Sequence, residues 1–241
     1  PLLERGVHVL VEKPMARSLD EADEMIAAAT RGNAVLAVGH TERFNPAVAA
    51  ARPLLKEPRF IEVHRLGTFP ERSLDIDVVF DLMIHDLDVV LSLVHAPVES
   101  IEAVGVPVLT GRVDIANVRI RFENGCIANL TASRISRDRV RKIRFFQPAA
   151  YLSIDYAAQK IEMWRLERGM GPMPAINGGD VPVTQDEPLK RELADFVDAI
   201  RHRRAPVVDG HQGRRALDLA QRIVDRMTTE ARPRLNDETP V

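Results

Sequence analysis

The chain has 241 residues, of which 45% are hydrophobic and 28% are charged, a composition typical of a globular protein of one or two domains. Its formal net charge of −2 gives no general attraction to nucleic acid or to an anionic membrane, and no apolar run is long enough to cross a bilayer. The single cysteine, Cys126, excludes an internal disulfide and fits the reducing cytoplasm, so the sequence favours small-molecule chemistry in that compartment.

The first elements predict a β-α-β unit. The run VHVLVE (7–12) is short and mostly apolar, as expected of a buried parallel strand, and a second such strand is predicted at 34–40. Between them Ser18 is a good N-cap with Glu21 three residues later, and helical spacing of apolar residues continues to Arg31. A right-handed crossover makes the two strands parallel, so both end at the same edge of the sheet.

The rest of the chain predicts helices packed on a second sheet. The first elements are a helix at 46–56, a strand at 59–69, a polar loop at 70–79 and an amphipathic helix at 80–94. Alternating runs separated by turn signals then predict strands at 98–108, 114–124, 126–135, 140–147, 150–156 and 159–166. The last predicted elements are a Gly- and Pro-rich surface loop at 168–186, helices at 189–204 and 211–227, and a frayed tail at 231–241.

A charged turn follows the first predicted strand and consists of Glu12, Lys13 and Pro14. Open parallel sheets bind ligands beyond the carboxyl ends of their strands, which is where these residues lie. Proline cannot donate to a sheet ladder and biases the preceding residue toward an extended conformation, so we expect Lys13 to point over the ligand crevice. The alternative is a lysine that merely caps a surface strand, because most charged residues are exposed.

The helix predicted at 80–94 carries a second group of polar residues. Asp81 and His85 are four residues apart and share one helix face, so the carboxylate can orient the imidazole and make His85 a candidate general base. One alternative is a polar helix face with an incidental ion pair. Another is a metal site formed by Asp81, His85 and Asp88, but this spacing is a loose pattern, and we predict no metal.

A basic segment, SRISRDRVRKIRFF (133–146), contains several arginines. Alternation places Arg137, Arg139 and Arg141 largely on one side of a predicted hairpin, and neighbouring acidic residues balance their charge. Because the chain has no general basic excess, this pattern favours a solvated sheet face or a subunit contact over a nucleic-acid site.

Three segments, VHVLVEKPMARSLDEADEMI, AVGHTERFNP and DLMIHDLDVV, in this order and with these separations, resemble the Gfo/Idh/MocA family of nicotinamide-dependent sugar and cyclitol dehydrogenases. The similarity extends through ELADFVDAI and GRRALDLA, and so covers nearly the whole chain. The resemblance implies an α/β plus α+β fold. Residues 1–44 would be the C-terminal part of a Rossmann domain with a parallel sheet, and 45–230 a substrate and oligomerisation domain with a large, open, mostly antiparallel sheet covered by helices.

The resemblance also implies an activity, which is hydride transfer between NAD or NADP and a secondary alcohol of a sugar or nucleotide sugar. His85 would be the base, Lys13 would stabilise alkoxide character on the substrate oxygen, and Asp81 would orient the base. The implied cofactor-binding residues are Glu12, Lys13, Pro14 and His40, and the implied substrate residues are Arg43 and Asn45. A homo-oligomer, a dimer or tetramer formed through the open sheet, is the implied assembly.

One position departs from the family pattern, because Met83 stands midway between Asp81 and His85 where the family often has glycine. The bulkier side chain could reshape the pocket or pack into the core. The segments VGHTERFNP and FPERSLDIDVVFDLMIHDLD are similar to members that oxidise the 3-hydroxyl of UDP-N-acetylglucosamine. For such a substrate Arg65 and Arg72 are candidate diphosphate ligands, although solvated arginines are commoner.

The N-terminus gives a further expectation. The chain begins with Pro1 on what reads as the end of a helix, and the glycine-rich loop of a complete family member is not found. We therefore expect the first part of the Rossmann domain to be absent and the 241-residue chain alone to bind cofactor poorly and to be inactive. The choice between NAD and NADP is open. The alternative function is a non-catalytic ligand-binding or regulatory protein that has kept the fold.

Overall fold

The computed structural model describes residues 1–69, 75–167 and 175–230, which form two sheets. The smaller sheet consists of β1 (Val9–Glu12) and β2 (Leu36–Gly39), joined by helix α1 (Leu19–Arg31). The two strands are parallel, and their register pairs Glu12 with Gly39 at the carboxyl edge. The Oγ of Ser18 accepts a hydrogen bond from the Glu21 amide at 3.2 Å, which caps α1. The predicted β-α-β unit is confirmed.

The larger sheet contains eight described strands in the order β10-β9-β8-β7-β3-β6-β5-β4. Their bounds are β3 Phe60–Leu66, β4 Val98–Val106, β5 Ile115–Phe122, β6 Ile127–Ser133, β7 Val140–Gln147, β8 Ala150–Asp155, β9 Lys160–Glu167 and β10 Ala175–Val181. Strands β3 and β6 are parallel, and the other described pairs are antiparallel. The predicted fold class, with a large and mostly antiparallel sheet beside a small parallel one, is confirmed.

Helices cover one face of the larger sheet. They are α2 (Pro46–Ala51), α3 (Ile84–Leu93) and α5 (Gly210–Glu230), and a π-helical segment, Val79–Met83, leads directly into α3. Helix α4 (Pro188–His202) packs against the turn that follows β2. The main core lies between this face and α2, α3 and α5. The opposite face is open and carries half-exposed aromatic side chains.

Two of the sequence predictions for the large domain are wrong in detail. Part of the predicted loop at 168–186 is strand β10, which pairs with β9 along its whole length. Its residues are mostly exposed, so backbone hydrogen bonds hold this edge strand and no alternating apolar pattern revealed it. The helix predicted at 46–56 ends as α2 at Ala51 and continues as a 3₁₀ turn, because Pro53 lacks a backbone N–H. Residues 168–174 and the predicted tail at 231–241 lie outside the described residues.

Helix α3 is more deeply buried than its predicted amphipathic pattern indicates. Asp86 and Asp88 are as buried as the leucines and valines around them, being 1% and 2% exposed. Both carboxylates are neutralised by arginines, Asp86 by Arg65 and Asp88 by Arg43. The helix is therefore central, and its polar side faces other parts of the protein instead of solvent.

The C-terminal part of the chain returns to the small sheet. The amide of Val38 in β2 donates to the carbonyl of Val208 at 3.0 Å, and Val208 and Leu217 belong to the core around α1 and β2. Helix α5 thus contributes to both cores. The split at residue 44 stays a prediction. None of the helices in the described ranges is long and apolar enough to span a membrane.

Candidate active site

The carboxyl edge of the small parallel sheet crowds two acidic side chains against one glycine. A Cβ atom on Gly39 would lie 3.0 Å from Glu12 Oε2 and 3.3 Å from Glu192 Oε1, so a larger residue here would require both carboxylates to shift. Glu192, on α4, is 2% exposed, and neither carboxyl oxygen has a hydrogen-bond partner among the described residues. Burial raises the pKa of Glu192, the nearby Thr41 hydroxyl opposes the rise, and the charge of Glu12 adds to it. Two carboxylates, those of Glu12 and Glu192, therefore lie next to Gly39 at this edge of the sheet.

Sequence analysis did not single out Glu192. The available signal was its position on the inward stripe of α4, four residues before Phe196 and seven before Ala199. A carboxylate at a core position of an amphipathic helix marks a buried polar site, because such groups are seldom buried without a function or a partner.

Lys13 reaches from the end of β1 to the π-helical segment. Its Nζ donates to the carbonyl oxygen of Asp81 at 2.6 Å and lies 3.8 Å from Asp81 Oδ1. Its side chain is 16% exposed. Burial lowers the pKa of the Lys13 ammonium, the Asp81 carboxylate opposes this, and Arg65 adds to the lowering. The lysine therefore bridges the two regions that carry the predicted catalytic residues.

Asp81 and His85 are not paired in the way that α-helical spacing predicts. Residues 79–83 form a π-helical turn, in which the amide of Ile84 bonds to the carbonyl of Val79, five residues earlier. No hydrogen bond or ion pair joins the Asp81 carboxylate to the His85 ring among the described residues. The Asp81 carboxylate lies beside Lys13, and His85 Nδ1 has no partner within the described ranges.

Two histidines face each other beside Lys13. The rings of His40, at the end of β2, and His85 lie 6.3 Å apart between centroids at 87°. Both nitrogens of His40 and the Nδ1 of His85 are buried and lack partners among the described side chains and backbone. Burial lowers the pKa of His40 to about 3, and it lowers the pKa of His85 well below its ordinary value of 6.5. Both imidazoles are therefore neutral at neutral pH.

A buried ion cluster holds these histidine-bearing segments together. The guanidinium of Arg65, on β3, donates from Nε to Asp86 Oδ2 at 2.5 Å and from Nη2 to Glu42 Oε1 at 3.1 Å. It also lies 5.4 Å from the ring centre of Tyr156. Asp86 follows His85 directly, and Glu42 lies two residues after His40, so one arginine links α3 to the segment after β2. Arg65 is fully engaged here, and Arg72 lies outside the described residues.

Arg43 and Asn45, predicted as substrate residues, have structural partners. Arg43 Nη1 donates to Asp88 Oδ1 at 3.0 Å, its Nη2 donates to Gln212 Oε1 at 2.5 Å, and its side chain is 6% exposed. Asn45 caps α2 through the Ala47 amide and donates to a backbone carbonyl of the β8–β9 turn. These contacts lend no support to a substrate role, which stays a prediction.

The alternative metal site is not assembled in the described part of the chain. Asp88 is bound to Arg43 behind the helix, apart from Asp81, and no group of three metal-ligating side chains is found among the described residues. The cleft of about 550 Å³ lined by His8, Val35 and Leu36 lies at the amino ends of β1 and β2, opposite the edge with Lys13. Ligands of open parallel sheets bind at the carboxyl ends.

The burial of neutral His40 predicts a specific loss of stability in acid. The unfolded chain takes up a proton near pH 6.5, whereas native His40 does so only near 3. Between these values the unfolded state binds more protons, so stability falls as pH falls, by ~1.4 kcal/mol per pH unit from this residue. Denaturant titrations across this window should give a shallower pH dependence for His40→Gln than for the wild type. An unchanged slope would contradict a buried neutral imidazole.

Comparison with known proteins agrees with the fold. Residues 20–147 match the model of the GFO/IDH/MocA C-terminal domain. UDP-N-acetylglucosamine 3-dehydrogenase of Acidithiobacillus ferrooxidans is 39% identical over 233 residues, which cover 95% of this chain and 73% of that protein. A 1-carboxy-3-chloro-3,4-dihydroxycyclo hexa-1,5-diene dehydrogenase of Comamonas testosteroni is 33% identical over 54% of this chain and 37% of its own length.

Solved structures give the same result. The structure of UDP-N-acetylglucosamine 3-dehydrogenase GnnA from A. ferrooxidans superposes with a TM-score of 0.88 at 37% identity, covering 94% of this chain and 73% of that one. A levoglucosan dehydrogenase in complex with NADH and L-sorbose has a TM-score of 0.83 at 18% identity, covering 95% of this chain and 73% of its own, and shows the shared fold. The relatives that are more than 30% identical are dehydrogenases, and these findings define an oxidoreductase. The chain belongs to the GFO/IDH/MocA family.

Proposed function

We propose that the full-length protein oxidises a secondary alcohol of a sugar or nucleotide sugar by hydride transfer to NAD(P), and that the 3-hydroxyl of UDP-N-acetylglucosamine is the first substrate to test. The observation that carries the proposal is the meeting of Lys13, from the end of β1, with the segment that carries Asp81 and His85. This places an ammonium and a neutral imidazole at the edge where open parallel sheets bind ligands.

The residues at this edge fit the nicotinamide end of a dinucleotide. Gly39 leaves room for close approach, His40 has two ring nitrogens without partners, and Glu12 is exposed beside them. Glu12, Lys13, Pro14 and His40 would hold the cofactor, which supplies the hydride acceptor when bound. Carboxylates suit ribose hydroxyls because they accept hydrogen bonds from them.

The protein's own part in the reaction is to remove a proton and to stabilise charge. Alcohol oxidation requires the hydroxyl proton to leave as the hydride departs, and a neutral His85 can accept that proton. The Lys13 ammonium can donate to the same oxygen and lower the cost of its alkoxide character. Asp81 lies against the ammonium at 3.8 Å, so we assign it the role of positioning Lys13 in place of orienting His85.

The substrate class rests on similarity. The 39% identity to UDP-N-acetylglucosamine 3-dehydrogenase extends over 233 residues and includes both regions of the site. The GnnA structure, at 37% identity, supports the same substrate class, whereas the levoglucosan dehydrogenase, at 18%, supports the fold alone. A nucleotide sugar is therefore favoured over a free sugar.

The test is turnover by the full-length gene product. We expect reduction of NAD⁺ or NADP⁺ with UDP-N-acetylglucosamine, weaker turnover with UDP-glucose, and little with free N-acetylglucosamine. Product analysis should show a ketone at C3 of the sugar. Tight binding of NADH without turnover of any sugar or nucleotide sugar in such a panel would contradict the proposal and favour a non-catalytic protein.

We also propose that the open face of the large sheet binds a second copy of the chain. A row of aromatic side chains crosses neighbouring strands on this face, namely Phe60, Phe146, Tyr151 and Trp164. Phe146 lies 5.5 Å from Phe60 and 5.2 Å from Tyr151 between ring centres, and Trp164 is 43% exposed. A contiguous exposed aromatic row of this kind is typical of a protein interface.

The oligomer proposal predicts that Trp164→Glu lowers the oligomeric state in analytical ultracentrifugation. A buried carboxylate in an apolar interface costs several kcal/mol, enough to dissociate a moderate dimer. Leu193→Glu is the matched control, because Leu193 is an exposed apolar residue on α4, away from this face. Equal sedimentation of the wild type and Trp164→Glu would contradict the proposal.

A further inference from the structure

Arg141 lies on the face of the large sheet that is covered by α3, the helix that carries His85. It is the cross-strand partner of Arg65, in the register that pairs β7 with β3. The residues two and four positions later on β7, Ile143 and Phe145, are buried in the core beneath the helices. Because side chains alternate along a strand, Arg141 shares this covered face, but near the strand end it is exposed. The sequence prediction had assigned it to a solvated sheet face or a subunit contact.

None of the residues that the structure describes pairs with the charge of Arg141. Lys13 has the carboxylate of Asp81 beside it, and Arg65 is bound by Asp86. Arg141 has no ion pair and no side-chain hydrogen bond within the described ranges of the chain. Like charges directly opposite each other on a sheet destabilise it. Arg141 therefore adds a positive charge next to Arg65, whose own charge is already paired with Asp86.

The charge of Arg141 influences the candidate base, His85. Burial is the main cause of the lowered pKa of His85, and the charge of Arg141 contributes to it together with Arg65 and Lys13. A second guanidinium lies close by, because Arg139 donates to Thr68 Oγ1 at 3.3 Å just beyond the end of β3. Among the described residues, the end of the β3–β7 pair is thus a cationic rim on the face of the sheet that α3 covers.

We propose that Arg141 binds the phosphoryl groups of the substrate, which is accordingly a sugar linked to a diphosphate. The proposal rests on the function proposed above and names the residue that would select a nucleotide sugar over a free sugar. A guanidinium matches phosphate oxygens with two parallel N–H donors, and it is less strongly hydrated than an ammonium. A dianionic group at this rim would neutralise the guanidinium that has no partner among residues 1–69, 75–167 and 175–230.

The test compares Arg141→Gln and Arg141→Lys with Lys142→Gln. Lys142 is the next residue on β7, faces the open side of the sheet, and pairs with Asp155 at 3.4 Å, so its loss removes one charge without touching the site. For UDP-N-acetylglucosamine we expect Arg141→Gln to raise KM on the order of 10- to 100-fold, the value of one or two charge-assisted hydrogen bonds, with a small change in kcat. Arg141→Lys should recover part of the loss, and Lys142→Gln should resemble the wild type.

A binding measurement separates this proposal from the proposed function. UDP alone, titrated calorimetrically into the full-length protein, should bind the wild type and bind Arg141→Gln more weakly by a similar factor. If the wild type turns over UDP-N-acetylglucosamine and Arg141→Gln has an unchanged KM, the role of Arg141 is wrong and the function stands. An equal loss of kcat/KM with UDP-N-acetylglucosamine and with free N-acetylglucosamine would also overturn it, because it would indicate a general effect on the site.

Discussion

Replacing Lys13 by methionine is expected to lower kcat for alcohol oxidation on the order of 10²- to 10³-fold, with a smaller effect on the binding of NADH. The physical reason is that an ammonium held next to the reacting oxygen stabilises negative charge most strongly in the transition state. Methionine keeps the apolar stem of the side chain and removes the donor that bonds to the Asp81 carbonyl at 2.6 Å. Steady-state kinetics of the full-length protein, with both substrates varied, measure the effect.

The Lys13 variant should remain folded. Burial lowers the pKa of the ammonium, which shows that its charge is costly in this environment, and Asp81, 20% exposed, can be hydrated when the lysine is removed. Lys56→Met, at an exposed lysine between α2 and β3, is the matched control. If Lys13→Met unfolds at the same denaturant concentration as the wild type and turns over at a near-normal rate, the role assigned to Lys13 is wrong.

Replacing His85 by asparagine is expected to lower kcat on the order of 10²- to 10⁴-fold, the usual contribution of a positioned general base. Because the pKa of His85 lies well below 6.5, wild-type activity should not fall as pH decreases through 6.5, and any acid limb should lie lower. The asparagine variant has no base, so its residual rate should rise with pH as hydroxide replaces it. The pH profiles of kcat/KM for the two proteins check both statements.

His64 provides a matched control for the histidine substitution. It lies on β3 beside Arg65, but its side chain points to the open face of the sheet, away from α3. His64→Asn should therefore keep the wild-type rate and pH profile. Parallel profiles for wild type and His85→Asn, differing only in height, would mean that His85 positions the substrate without accepting its proton.

The local sequence pattern was sufficient to predict the small sheet and the place of Lys13. Ser18 and Glu21 mark the start of α1, and the two apolar runs form β1 and β2. A right-handed β-α-β crossover makes these strands parallel, and their register pairs Glu12 with Gly39. Each of these steps depends on neighbours in sequence. The strand ends therefore followed from short-range rules, and so did the expectation that Lys13 leaves the sheet at this edge.

Contacts between distant elements were beyond the sequence pattern. Spacing alone paired Asp81 with His85, but the π-helical turn and the approach of Lys13, 68 residues away, give Asp81 a different neighbour. The partner of Arg43, Asp88, lies 45 residues later in the chain and could not be found from spacing. Periodicity in the sequence predicts which face of an element is buried and where a strand ends. It does not predict which residues pair with buried charges, because those contacts form between segments far apart in the chain.

The same limit explains the residues that were missed. Glu192 becomes notable only when α4 is packed against Gly39. The position of Arg141 opposite Arg65 depends on the pairing of β7 with β3, which the sequence pattern did not give. The exposed strand β10 had no alternating apolar pattern because it is held by backbone pairing with β9. In each case the missing information was a contact between segments far apart in the chain.

The central claim is that Lys13 and His85 act on the same hydroxyl group. A crystal structure of the full-length protein with NADH and UDP-N-acetylglucosamine tests it most directly. We predict that the Lys13 Nζ and a ring nitrogen of His85 both lie about 2.6–3.2 Å from one sugar oxygen, the range required for proton transfer and charge stabilisation. A sugar bound with either group beyond reach of that oxygen, directly or through one water, would contradict the account.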